Sequence, residues 1–80
     1  MSHKRMMMKD VTSRNMFVSM SKGAQLLYFH LNMETDDDGV VEGQLVMNMI
    51  RSRRSDMIEL IENNYVTVLE EKGWIVYVND

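Results

Sequence analysis

Residues 55–78 read SDMIELIENNYVTVLEEKGWIVYV, and the hydrophobic periodicity changes partway along this stretch. Apolar residues first recur at helical spacing, whereas YVTVL and WIVYV are β-branched and aromatic runs of the kind found in strands. The polar residues EEKG between the two runs indicate a hairpin turn. The stretch therefore predicts a helix followed by a β-hairpin.

The ends and faces of this helix follow from its residue types. Ser55 is a suitable N-terminal cap, Asp56 suits the positive end of the helix dipole, and Asn64 is a plausible C-terminal stop. The residues predicted to face the core are Met57, Ile58 and Ile61. Those predicted to face outward are Asp56, Glu59, Glu62 and Asn63.

Two further helices are predicted upstream of this one. Ser21 is expected to cap a helix that runs to about Met33, in which one face carries Ala24, Leu27, Tyr28 and Leu31. A second apolar stripe, formed by Leu26, Phe29 and Met33, predicts that neighbours cover this helix on both sides. QLVMNMIR, residues 44–51, predicts a short helix with Val46, Met49 and Ile50 on one face.

The order of the predicted elements indicates the fold class. GVVEG, residues 39–43, is long enough only for a strand stub at Val40 and Val41, and SRRS separates the second and third helices. We expect an α+β winged helix-turn-helix, with three helices and a two- to three-stranded antiparallel wing sheet. Residues 21–80 are predicted to form this domain, and residues 1–20 a basic, partly packed N-terminal arm.

The composition is that of one small globular domain. The chain has 80 residues, no cysteine and a net charge of −3. It contains neither a signal-peptide pattern nor the roughly 20-residue apolar run of a membrane span. The absence of cysteine fits a reducing compartment. We expect a protein of the bacterial cytoplasm that has no membrane partner.

The aspartates after the first predicted helix raise the question of a metal site. With Gly39 at position 6 of a calcium loop, Glu34, Asp36 and Asp38 take the first ligand positions, but position 12 is Leu45, which cannot ligate. A solvated acidic turn is the favoured interpretation. His30 and His3 lack a catalytic context, and no phosphate-binding glycine loop is present. We expect no enzyme activity, metal or cofactor.

The charges are segregated along the chain, and two basic clusters suggest contact with nucleic acid. One lies in the turn before the third helix, where phosphate contacts are predicted for Arg51, Ser52, Arg53, Arg54 and Ser55. The other lies in the arm and contributes Lys4, Arg5 and Lys9, while Lys72 at the wing tip is a weak addition. A solvated turn is the alternative. The acids of the third helix argue against deep insertion into a DNA groove.

The arm also contains Met6, Met7 and Met8, between its basic residues. Methionine fills irregular apolar gaps, so these residues are predicted to pack on the domain or on a neighbouring copy of the chain. A homo-oligomer is therefore a second expectation for this sequence.

The segments KRMMMKDV, QLLYFHLNMETDDDG and NMIRSRRSDMIELI together resemble the N-terminal region of phage and prophage replication proteins of Gram-positive bacteria. These are the replisome-organiser and DnaD-like proteins, and the most specific segment runs from Gln25 to Gly39. The resemblance implies a winged-helix domain at the start of a longer protein that acts on origin DNA and helps to recruit the replicative helicase. It also implies an association with self-assembly. The proline that often opens the second helix in this group is replaced here by Gln44.

The leading expectation is a DNA-binding or DNA-organising module of a phage-type replication initiator. Its partners would be double-stranded DNA and replication proteins such as a helicase or its loader. The runner-up is a protein-interaction and oligomerisation module of the same machinery with little DNA affinity. A phage transcription regulator is the third possibility.

Overall fold

The computed structural model describes residues 15–79. Within this range the elements are α1 (Asn15–Ser19), α2 (Lys22–Glu34), β1 (Val40–Glu42), α3 (Gly43–Ile50), α4 (Arg54–Glu62), β2 (Val66–Glu70) and β3 (Ile75–Val78). A short 3₁₀ turn, Lys72–Trp74, joins β2 to β3. This is the order of a winged helix-turn-helix, and the predicted α+β class is confirmed.

The three strands form one antiparallel sheet in the order β1-β3-β2. Val41 pairs with Val76, and Val66 with Val78, so that the inner face of the sheet consists of buried valines. A bulge at Leu69 interrupts the pairing of β2 with β3 and leaves that side chain 56% exposed. The strand stub predicted at Val40 and Val41 is thus the third strand of the sheet.

Helix α2 is central to the core, as its first apolar face predicts. Ser21 caps it, because the Ser21 hydroxyl oxygen accepts a hydrogen bond from the Ala24 backbone N–H at 3.2 Å. Leu27 and Leu31 are fully buried where α2 packs on α3 and α4. The predicted cover on the second side is wrong: the stripe remains largely exposed, at 48% for Leu26, 37% for Phe29 and 49% for Met33. Of this stripe, Phe29 makes an edge-to-face contact with Phe17 of α1, at a centroid distance of 5.8 Å.

Helix α1 was not expected from the sequence. Its Phe17 is 1% exposed and makes edge-to-face ring contacts with Tyr28 and Tyr65, at centroid distances of 5.4 and 5.7 Å. Met20, just after α1, is also buried. These two residues of the predicted, partly packed arm belong to the core. The remainder of the predicted arm lies outside the described residues.

Helices α3 and α4 differ from the prediction in which residues face the core. Val46 is buried on α3 as predicted, but Met47 rather than Met49 is buried beside it, because Met49 lies about 200° around the helix from Met47. On α4 the fully buried residues are Met57 and Leu60, whereas Ile58 and Ile61 are half-buried. Among residues 15–79, no helix is both long and apolar enough to cross a membrane.

Candidate nucleic-acid interface

The turn between α3 and α4 begins with a backbone conformation that is unusual for its residue. Arg51 has φ 55° and ψ 41°, in the left-handed region. The Ser52 N–H donates to the Met47 carbonyl at 2.8 Å and the Arg51 N–H to the Asn48 carbonyl at 3.4 Å, so the helix ends in a Schellman-type cap. This position normally favours glycine. The arginine carries a conformational cost and places its exposed side chain at the turn.

Asp56 closes the turn from the other side. Its Oδ2 accepts hydrogen bonds from the Arg53 backbone N–H at 2.9 Å and from the Ser52 hydroxyl at 2.8 Å. The helix therefore begins at Arg54 with Arg53 as its N-cap residue, and the prediction of Ser55 as the cap is wrong. The Ser52 hydroxyl proton is engaged with Asp56 and is not free to donate to a phosphate.

Asp56 is turned into the protein, and the prediction that it faces outward is wrong as well. It is 9% exposed and lies against Gly23 at the start of α2. A Cβ on Gly23 would lie 2.5 Å from Oδ1 and 2.6 Å from Oδ2 of Asp56. The glycine thus allows α2 and α4 to approach each other closely at this point.

Glu59, one turn further along α4, is hydrogen-bonded to the start of α2. Its carboxylate accepts hydrogen bonds from the Ser21 hydroxyl at 2.9 Å and from the Ser21 backbone N–H at 3.1 Å. A carboxylate here is stabilised by the positive end of the α2 dipole. Of the three acids predicted on the outer face of α4, Asp56 is buried, Glu59 is half-buried and bonded to Ser21, and Glu62 is exposed.

Arg54, the first residue of α4, connects the helix to the wing. Its guanidinium carbon lies 5.7 Å from the centroid of the Trp74 ring, which is a cation–π contact. Trp74 closes the hairpin loop with φ 52°, directly after Gly73 at φ 79°. The loop, which carries exposed Lys72, is thereby held beside the start of α4. The sequence offered no signal for this pairing across 20 positions beyond the presence of one tryptophan.

Four of the predicted DNA-contact residues lie close together in the structure. The turn brings exposed Arg51, Arg53, Arg54 and Ser55 to one edge of the domain, and we call this edge the arginine face. A groove of about 470 Å³, which Asp56 and Glu59 also line, lies between it and Ser21 and Leu26 of α2. The predicted arm contacts Lys4, Arg5, Lys9, Met6, Met7 and Met8 lie outside the described residues.

The acidic turn after α2 has a structural role. Oδ1 of Asp36 accepts hydrogen bonds from the backbone N–H groups of Asp38, at 2.8 Å, and Val40, at 3.0 Å. Gly39 adopts φ 85°, which allows the chain to reverse into β1. No group of three potential metal-ligating side chains occurs in the part of the chain that the structure describes. His30 is half-buried on α2.

The topology, the register of the sheet and the paired helices α3 and α4 define a winged helix-turn-helix domain whose helix-turn-helix carries a cluster of exposed arginines. Comparison of the chain with protein-family models, with curated proteins and with solved structures found no significant match.

Proposed function

We propose that this domain binds double-stranded DNA through the arginine face. The observation that supports this most directly is that the acids nearest these arginines are engaged within the fold. Asp56 is buried and bonded to Ser52 and Arg53, and Glu59 is hydrogen-bonded to Ser21. Both acids also line the groove beside the arginine face, so the proposed contact is with the exposed arginines at its edge and not within the groove. The exposed side chains at this edge are predominantly cationic.

The contact is proposed to be shallow and directed at phosphates. Exposed Glu62 on α4 and exposed Glu71 in the wing flank the arginines and disfavour deep insertion into the major groove. Arg51 and Arg53 project from the turn, where the positive end of the α4 dipole adds to their attraction for a phosphate. Such binding would be weakly sequence-selective and strongly dependent on salt, with no catalytic step.

The biological setting is proposed from the resemblance of residues 4–61 to phage-type replication proteins. In that setting the domain is a DNA-organising module of a replication initiator in the bacterial cytoplasm. Its protein partners would be a helicase or a helicase loader. A fold of this kind also serves transcription regulators, so the fold alone does not distinguish the two roles.

The proposal is tested by the salt dependence of DNA binding. We expect a labelled duplex to bind the chain at about 50 mM salt and to be released towards about 200 mM salt, with each phosphate contact adding about 0.9 to the log–log slope. The double variant Arg51→Gly/Arg53→Ala should lower that slope by about 1.8 and weaken binding on every sequence tested. Fluorescence anisotropy provides the measurement.

Arg53→Lys is the matched control, because it retains the charge and should retain most of the slope. Arg54 is left unchanged in these variants because its side chain also packs on Trp74. Absence of binding at low salt, or a slope that is unchanged in the double variant, would contradict the proposal.

A second prediction concerns the opposite effects that Arg51 has on stability and on DNA binding. Arg51→Gly should raise the free energy of unfolding by about 1 kcal/mol, because an L-residue in the left-handed region costs roughly 1–2 kcal/mol that glycine largely avoids. The same variant should bind DNA more weakly. Urea unfolding measures the first effect, and Arg53→Ala, at φ −90°, is the control that should show no gain.

The alternative function is protein interaction and self-assembly. The observation that favours it is the exposed stripe of Leu26, Phe29 and Met33 on α2. Sedimentation of the same protein distinguishes the two functions: a concentration-dependent dimer or larger species without DNA binding at low salt would support assembly.

A further inference from the structure

A second groove lies between β1, α3 and the turn that follows α2. Its volume is about 420 Å³, and none of its lining residues belongs to the groove beside the arginine face. Val41 and Val46 form part of its buried floor. Leu45 and Met49, one turn apart on α3, flank it and are 56% and 64% exposed. The groove thus presents an apolar strip that residues 15–79 leave partly uncovered.

The rim of this groove is acidic. Glu34, Asp36 and Glu42 line it, and no lysine or arginine of the described residues does. Glu34 is the last residue of α2, so the negative end of that helix dipole adds to its charge. Glu42 precedes α3 without a side-chain hydrogen bond to the helix start. An occupant of this groove must therefore combine apolar groups with positive charge.

Metal ions and nucleic acids both fit this groove poorly. The acids do not form a group of three metal-ligating side chains in the described part of the chain, so their charges are spread rather than focused on one ion. Nucleic acid would be repelled by the rim. A peptide segment with separated cations around an apolar centre matches both the floor and the rim.

We propose that the groove binds residues 4–9 of the same molecule, KRMMMK. Met6, Met7 and Met8 supply an unbranched apolar centre that adapts to an irregular surface. Lys4, Arg5 and Lys9 flank this centre and complement the three carboxylates of the rim.

The topology favours an intramolecular contact. Phe17 of α1 makes an edge-to-face contact with Tyr65, whose carbonyl accepts a hydrogen bond from the Asn79 N–H at 2.9 Å. The neighbouring Val78 N–H donates to the Gly39 carbonyl at 2.9 Å, so α1 and the acidic turn lie at the same end of the domain. Six residue steps from residue 9 to residue 15 span at most about 20 Å. A tether this short gives a high effective concentration of the segment at the groove.

Docking of the segment would change which cationic side chains are available to contact DNA. Lysines and arginines neutralised by the groove are withdrawn from phosphates, so the arginine face would supply the salt dependence of DNA binding. This consequence rests on the proposed function, whereas the docking of the segment does not and is tested without DNA.

The test uses the absence of cysteine from the chain, which makes Ser2→Cys the only attachment point for a nitroxide spin label. In the ¹⁵N-labelled full chain, we expect paramagnetic broadening of the Val40, Leu45 and Met49 amides. The charge reversal Glu34→Lys/Glu42→Lys should abolish it. The control Glu70→Lys/Glu71→Lys, which changes exposed acids of the hairpin, should leave it unchanged.

A second measurement does not depend on the reversal variant being folded. Raising the salt to about 1 M, where the screening length falls to about 3 Å, should weaken the broadening in the otherwise unchanged spin-labelled chain. The proposal is overturned by a groove that shows no broadening, or by broadening that survives the charge reversal. It is also overturned if a spin-labelled, ¹⁴N chain broadens the groove of a cysteine-free ¹⁵N chain equally, because a second copy would then be the occupant.

Discussion

Replacing Leu31 with alanine is expected to lower the free energy of unfolding by roughly 2–5 kcal/mol. Leu31 is fully buried on the face of α2 that meets α3 and α4. Truncation removes apolar contacts and leaves a cavity that rigid neighbours fill only in part. A domain of 80 residues has little stability to spare, so a substantial fraction of the variant should be unfolded at 37 °C. Urea unfolding followed by circular dichroism measures the loss.

Leu69→Ala is the matched control for this prediction. It makes the same chemical change at the bulge of β2, at a side chain that is 56% exposed. We expect a change within about 0.5 kcal/mol there, as at most surface positions. A loss at Leu31 no larger than the loss at Leu69 would show that α2 is not the centre of the core.

The second large effect is expected at Gly23. In most helix interiors a change from glycine to alanine stabilises the helix by about 0.5–1 kcal/mol. Here the new methyl group would meet the Asp56 carboxylate at 2.5 Å, and that carboxylate is buried and bonded to Ser52 and Arg53. Gly23→Ala should therefore destabilise the domain by about 1–3 kcal/mol, the usual cost of overpacking.

A double-mutant cycle identifies the cause. Asp56→Ala alone should cost about 1–3 kcal/mol, because it removes a helix cap and leaves the Arg53 N–H without its partner. In that background Gly23→Ala should become neutral or stabilising, since the obstructing carboxylate has gone. If the costs of the two changes simply add, the proximity of Gly23 to Asp56 is not what limits this position.

These residues also show how the fold changes the surroundings of the acids of α4. Counting side chains at helical spacing places Asp56, Glu59 and Glu62 on one polar side of the helix, where they argue against DNA contact. In the fold, the start of α2 passes beside that side. Its cap residue Ser21 and its dipole hold Glu59, and Gly23 leaves room for Asp56. The electrostatic character of the outer edge then depends on Arg51, Arg53 and Arg54.

What the sequence by itself determined is the order and type of most elements. The Ser21 cap, the spacing of Leu27 and Leu31, and the alternation in β2 and β3 are local patterns, and periods of 3.6 and 2 residues distinguish helix from strand without reference to distant contacts. α1 was missed because five residues are too few to show a helical period.

Only the tertiary structure decided which residues face outward. The second apolar stripe of α2, including Leu26 and Phe29, is largely exposed, because periodicity does not state how many neighbours a helix has. The Arg54–Trp74 contact and the Glu59–Ser21 hydrogen bonds join residues 20 and 38 positions apart. Such pairings depend on how the elements pack, so the composition of the proposed DNA-binding surface depends on packing that local sequence patterns do not specify.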